Sequence, residues 1–148
     1  MNQKTIRILL ADDDEDDRMM FRDAIMKVPL KTQVETVNDG VELLQYLANS
    51  SRDLPHILFL DLNMPRKNGL ECLKEIRSKE NLRDLSVAIY STSNAEKDVE
   101  EAFVSGANIY INKPNDFGCL KKVLTKVLSV NWQYVTSGMD RDTFLLSV

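Results

Sequence analysis

The chain has 148 residues, and 19 Lys plus Arg against 23 Asp plus Glu leave a formal net charge of −4, a length that fits one compact domain. With 43% hydrophobic and 28% charged residues the composition is that of a globular protein, which excludes disorder and a fibrous repeat. The acidic balance and the lack of a basic stripe argue against a nucleic acid partner, which needs clustered Lys and Arg to displace phosphate counterions.

Ile6 to Ala11 is a short apolar run without alternation, as in a strand buried on both faces, and it stops at the acidic string Asp12 to Asp17. Phe21, Ala24, Ile25 and Val28 then follow a helical period. Gln33 to Val37 is a weaker strand, and Leu43, Leu44, Leu47 and Ala48 share the next helix face. Ile57 to Leu60, framed by Pro55 and Asp61, is the third run, with Leu70, Leu73 and Ile76 on the helix after it. Val87 to Tyr90 leads into Ser91-Thr92-Ser93-Asn94 and a helix bearing Val99, Ala102 and Phe103. Ile109 to Ile111 ends at Asn112-Lys113-Pro114, and Phe117, Leu120, Leu124, Val127 and Leu128 mark the fifth helix.

Five strand-helix pairs in strict alternation predict an α/β fold, a doubly wound five-stranded parallel sheet with helices on both faces, because parallel strands need long crossovers. No repeat, low-complexity block or linker divides the chain. Residues 4–129 are therefore read as one domain, and residues 130–148 as a tail without an output domain, too short to fold alone. The tail carries Trp132, Tyr134, Val135, Phe144, Leu145 and Leu146 and is expected to dock on the body or on another protein. Cys72 and Cys119 show no C-x-x-C spacing, and His56 is the sole histidine, so a zinc site is not expected. The start lacks a basic then apolar leader, and no stretch approaches the roughly 18 apolar residues of a membrane span. The expectation is a reduced cytoplasmic protein with no membrane association.

In doubly wound folds ligands bind beyond the carboxyl ends of the strands. Those positions hold Asp12, Asp13 and Asp14, then Asp61, then Ser91 and Thr92, then Lys113. Carboxylates gathered on one rim repel one another unless a cation sits among them. Mg²⁺, which takes oxygen ligands and is usually held by one or two carboxylates beside a phosphate, fits better than Ca²⁺, since the EF-hand pattern is not met. A lysine and a hydroxyl facing the same metal suit phosphoryl transfer. Asp61 is then the candidate nucleophile, alone at the end of a central run with Pro65 and Gly69 shaping the loop beyond it.

The strings I8-L-L-A-D-D-D, D61-L-N-M-P-R-K-N-G69, Y90-S-T-S and N112-K-P, in this order and at these separations, resemble the response-regulator receiver family of two-component signalling. The resemblance covers roughly residues 4–129 and implies the flavodoxin-like (βα)5 receiver fold. It implies that Asp61 accepts a phosphoryl group from a sensor histidine kinase or a histidine phosphotransfer protein. Mg²⁺ would be held by Asp13, Asp61 and the backbone carbonyl of Asn63, and through water by Asp12. Lys113 and Ser91 would each take a phosphate oxygen, Tyr110 would turn inward as the switch aromatic when Ser91 moves, and Pro114 would follow a cis bond. The output would be a changed surface around the fourth helix and fifth strand, met by a target protein or by a second copy of the chain. Such a protein is not an enzyme acting on other substrates, since it catalyses only its own phosphorylation and dephosphorylation. The wording D-L-N-M-P and Y-S-T-S and the Trp132 tail are similar to stand-alone regulators of the phytochrome-associated kind.

Simpler roles suit the remaining residues. Asp14, Glu15, Asp16 and Asp17 complement the dipole of the first helix, Ser93 and Asn94 are placed to cap the fourth, and His56 and both cysteines are structural. Met64 is an apolar loop contact, and the helix-face Leu, Phe and Val residues are core. A haloacid-dehalogenase type phosphatase would need a second Asp where Asn63 stands. Nucleotide-binding glycine motifs are absent, and the acidic string would repel a flavin phosphate. A receiver that has lost phosphorylation and only docks is opposed by the intact Asp61, Ser91 and Lys113. Thr92 stands where the family commonly has Ala or Gly, and its bulk beside the acceptor restricts access. Thr92→Ala is therefore expected to change the lifetime of the phosphorylated form, and equal dephosphorylation rates for the two proteins would contradict this.

Overall fold

The computed structural model describes residues 5–49 and 53–129, together with the backbone of Leu145–Leu146. The strands are β1 (Ile6–Ala11), β2 (Thr32–Val37), β3 (Ile57–Leu60), β4 (Ser86–Ser91), β5 (Ile109–Asn112) and β6 (Leu145–Leu146). The helices are α1 (Glu15–Met26), α2 (Gly40–Ala48), α3 (Gly69–Ser78), α4 (Glu96–Val104) and α5 (Phe117–Leu128). All pairings are parallel, in the order β2-β1-β3-β4-β5-β6. The five expected parallel strands are present, and the two residues of β6 extend the sheet beside β5. Trp132, Tyr134, Val135 and Phe144 lie outside the described residues.

The apolar runs of β1, β3, β4 and β5 become intelligible once both faces are covered, because successive side chains point to opposite sides. On one side Leu9, Leu58, Leu60 and Val87 pack with Leu43 of α2, Leu73 of α3 and Ala102 of α4. On the other Leu10, Phe59 and Tyr90 pack with Phe21 of α1 and Leu124 of α5. Phe21 meets Phe59 at 5.0 Å and Tyr90 at 5.6 Å between ring centroids, both edge to face. Such pairs contribute about 0.5–1.5 kcal/mol each beyond the area they bury.

The helix starts follow from their caps. Asp14 accepts the N–H of Asp17 at the head of α1, and Asp39 that of Glu42 at the head of α2. Asn68 and Glu71 form a reciprocal capping box on α3, and Asp116 caps α5. Helix α4 departs from expectation: its cap is Ala95, with no side-chain bond. Ser93, two residues before the capping position, instead takes the Ala95 N–H with its hydroxyl and bonds Asp98. Two residues expected in the core are exposed. Phe117, 38% exposed, is the first residue of α5, before the helix has turned its apolar stripe to the sheet, and Ala48 is the last of α2. No peptide bond among the described residues is cis, so the bond preceding Pro114 is trans, contrary to expectation. With that bond trans, the Lys113 N–H bonds the Ser91 carbonyl at 2.8 Å.

At the end of the sheet opposite the acidic residues, Arg77 gathers the chain. Its guanidinium donates to the carbonyls of Gly106 (2.9 Å), Arg83 (2.9 Å) and Leu85 (2.7 Å) and to Asn108 Oδ1 (3.0 Å). Asn108 Oδ1 also accepts the Val87 N–H at 2.7 Å. One planar fork thus ties the end of α3 to the starts of β4 and β5. Arg77→Met is expected to cost roughly 2–3 kcal/mol, because carbonyls left without donors lose a charge-assisted bond each. Arg77→Lys should recover less than half of this, since a point charge cannot reach four acceptors at once. Urea denaturation of the three proteins checks both statements.

Candidate functional site

The sheet register decides which residues meet. Ala11 pairs with Leu60, so the next residues, Asp12 and Asp61, leave adjacent strands side by side, and the Asp61 N–H bonds the Ala11 carbonyl at 3.0 Å. Ser91 pairs with Asn112, which brings Lys113 to the same rim. The crossover reverses direction between β1 and β3, so these ends border the crevice where such folds bind ligands. The loop after Asp61 is held by close backbone contact: a Cβ on Gly69 would lie 2.1 Å from the Asp61 carbonyl oxygen, and one on Gly40 would lie 2.1 Å from that of Lys67. Only glycine allows either approach. Arg66, at φ 67°, reaches from this loop to Asp39 at 3.2 Å.

Carboxylate oxygens of Asp12, Asp13 and Asp61 lie within 4.8 Å of one another. Lys113 Nζ stands among the acids, 2.8 Å from Asp12, 2.9 Å from Asp17 and 3.2 Å from Asp61, and 5.2 Å from the centre of the Tyr90 ring. Asp12 and Asp61 are buried, and Asp13 is exposed. Four carboxylates against one ammonium leave an excess of negative charge that Lys113 cannot neutralise. Burial first, and then the Asp12 charge, push the Asp61 carboxyl up to about 6, although Lys113 and the Asn63 N–H pull the other way. Burial disfavours the charge on Lys113, but its bonds to Asp12 and Asp17 and the charge of Asp61 outweigh this and hold it above the ordinary lysine value.

The donor set fits a hard divalent cation. All three grouped side chains offer oxygen, the cluster carries more negative charge than its lysine balances, and one member, Asp13, faces solvent. Asn63 donates its N–H to Asp61 Oδ1 at 3.2 Å, which fixes its backbone beside that carboxylate.

Ser91 is fully buried, and its hydroxyl accepts the Ser93 N–H at 3.1 Å. Tyr110 is also fully buried, with its hydroxyl donating to the Ser93 carbonyl at 2.7 Å. The ring expected to turn inward on switching is therefore already inside, because the pocket beside β4 offers its hydroxyl a carbonyl partner. Thr92 is exposed at the rim. His56 accepts the Arg7 N–H at 2.9 Å, and Cys72 is buried against Gly40, both structural as expected.

Three residues with a part in the site escape a sequence reading. Asp17, expected only to complement the helix dipole, bonds Lys113. Arg18 donates to the Asp12 carbonyl at 2.8 Å. Asn112 donates to the Ser93 carbonyl at 3.2 Å and so shares the acceptor of Tyr110. The first two lie one turn into α1, where the spacing from Asp13 is the only available signal.

The raised Asp61 pKa sets a pH dependence. The folded chain holds this proton more tightly than the unfolded chain, so the stability the group contributes is full below 3.8 and lost as pH rises through about 6. Without divalent metal, Asp61→Asn is expected to be more stable than the parent near pH 7 by about 3 kcal/mol, with the gain largely gone at about pH 4. Urea midpoints at the two pH values measure it, and a gain independent of pH would contradict it.

Similarity to known proteins agrees with this geometry. The family model of the response regulator receiver domain matches residues 8–125. The "probable methanogenesis regulatory protein FilR2" of Methanothrix harundinacea is 31% identical over 123 residues, 81% of this chain and 79% of that protein. The response regulator Rcp1 of Synechocystis is 28% identical over 135 residues, covering 87% and 90% of the two chains. The crystal structure of a phosphorylated cyanobacterial phytochrome response regulator, RcpA, superposes with a TM-score of 0.78 at 31% identity, over 89% of this chain and 96% of its own. Strand-end chemistry, fold and similarity meet in one conclusion: the chain belongs to the response-regulator receiver family of two-component signalling.

Proposed function

We propose that the chain is a phosphorylation-driven switch with Asp61 as acceptor. One observation carries this reading: a buried carboxylate at the end of a central strand has two further carboxylates within 4.8 Å and a lysine ammonium at 3.2 Å. The donor is the phosphohistidine of a sensor histidine kinase or of a histidine phosphotransfer protein. An Asp61 oxygen attacks phosphorus, the P–N bond breaks, and its electron pair leaves with the imidazole nitrogen, which takes up a proton. The product is an acyl phosphate, and attack by water returns the carboxylate and inorganic phosphate. The chain acts on no other substrate.

Asp12, Asp13, Asp61 and the Asn63 backbone carbonyl would hold Mg²⁺. When bound, the ion supplies charge that stabilises the transferring phosphoryl oxygens. Lys113, already charged and in place, takes another of these oxygens without reorganising, as favours transition-state stabilisation. The Ser91 hydroxyl gives up its contact with the Ser93 N–H and turns to a third. Because Tyr110 and Asn112 both hold the Ser93 carbonyl, movement of Ser91 is transmitted to β5 and to the start of α4. On the output side the partner is a target protein, or a second copy of the chain, that meets this altered surface. The free thiols of Cys72 and Cys119 support a reducing compartment such as the cytoplasm.

Acetyl phosphate with and without Mg²⁺, read by intact mass, tests the assignment. The parent should gain one phosphoryl group only when Mg²⁺ is present, and Asp61→Asn none. Equal gain in Asp61→Asn would place the acceptor elsewhere.

A further inference from the structure

Lys113 has three N–H donors, and the three carboxylates of Asp12, Asp17 and Asp61 stand at hydrogen-bond distance from its nitrogen. A phosphoryl group on Asp61 would bring new oxygens to an ammonium with no donor to spare, so one partner has to yield. Asp12 is poorly suited, being fully buried and committed through its other oxygen to the Asp14 N–H at 3.0 Å. Asp61 is the reacting group, and its contact is already the longest of the three. Asp17 differs from both: its side chain is 37% exposed, so water replaces Lys113 as its partner at small cost.

We propose that Asp17 is a positioning residue that competes with the phosphoryl oxygens for Lys113. In the unphosphorylated chain it draws the ammonium toward α1, and on phosphorylation it releases the lysine to the new anion. It thereby slows phosphorylation, by occupying a donor and by adding negative charge beside the path of an anionic phosphoryl donor. This deepens the reading of Asp61 as acceptor and rests on it. The same-shaped neutral residue in Asp17→Asn weakens the hold on Lys113 while keeping the helix turn.

The test compares the full chain, Asp17→Asn and Asp16→Asn with acetyl phosphate and Mg²⁺, following the gain of one phosphoryl group by intact mass. In that reaction the Asp61 oxygen forms the new bond to phosphorus, and the P–O bond to acetate breaks with its electron pair leaving on acetate. Asp16 is exposed on the same turn and does not bond Lys113, so its variant makes the same change in net charge without the contact. Asp17→Asn is expected to react about fivefold faster, the size of a partly exposed ion pair, and Asp16→Asn at close to the parent rate. An unchanged or slower Asp17→Asn, or equal acceleration in Asp16→Asn, overturns the proposal.

A thermal double-mutant cycle of Asp17→Asn with Lys113→Met, without metal, reads the contact independently of phosphorylation. Non-additive midpoints are expected, and strict additivity overturns the proposal. Failure of the parent to gain a phosphoryl group would remove the Asp61 assignment and this proposal with it. Gain in the parent with no effect of Asp17→Asn would remove this proposal alone.

Discussion

One ammonium shared among three carboxylates is the constraint from which the rest of this site follows. Lys113 reaches Asp12, Asp17 and Asp61 from a side chain only 8% exposed, with the Tyr90 ring beneath it. Burial strengthens each attraction, but it strengthens the repulsion among the acids as well. The raised Asp61 pKa and the raised Lys113 pKa express one shortage: the lysine keeps its charge because three carboxylates face it, and the Asp61 carboxyl holds its proton because burial and the Asp12 charge outweigh its share of the lysine. A divalent cation among these carboxylates would relieve the shortage.

The frame has to be rigid for that shortage to persist. Two apolar cores clamp the sheet, and Phe21, Phe59 and Tyr90 connect α1, β3 and β4 directly below the site. The close approaches of Gly69 and Gly40 leave the loop after Asp61 little freedom. At the far end of the sheet Arg77 secures the starts of β4 and β5. The β4 to α4 connection is built differently. It starts at Ser91, carries two side-chain donors on the Ser93 carbonyl, and enters a helix without a side-chain cap. Its hydrogen bonds converge on Ser91 and Ser93, so a change in one of them reaches the others.

Much of this was legible in the residues themselves. The ends of β1 and β3 coincide with the runs Ile6–Ala11 and Ile57–Leu60, because strands buried on both faces are built from apolar runs, broken here only by the half-buried Arg7 at the start of β1, and both stop at an aspartate. Asp12, Asp13, Asp61, Ser91 and Lys113 could be picked out because each lies within two residues of the end of such a run, and a parallel sheet brings all strand ends to one edge. Asp17, Arg18 and Asn112 were not legible. Asp17 and Arg18 lie inside a helix, where an acid or a base has an ordinary solvent-exposed use. Asn112 ends a strand, where a polar residue is unremarkable. The burial of Tyr110, the trans bond before Pro114 and the exposure of Phe117 likewise depended on neighbours distant in the chain.

The sequence by itself determined the alternation of strands and helices, the parallel sheet and the residues at its carboxyl edge, since these follow from local periodicity and from where apolar runs end. Tertiary structure alone decided how the charges are shared: which carboxylates reach Lys113, where Tyr110 places its hydroxyl, and which hydrogen bonds hold each loop. The physical reason is range. Periodicity is set by neighbours within a turn or two, whereas hydrogen bonds and Coulomb interactions at this edge join residues as far apart as Asp12 and Lys113, which only the packed sheet brings together.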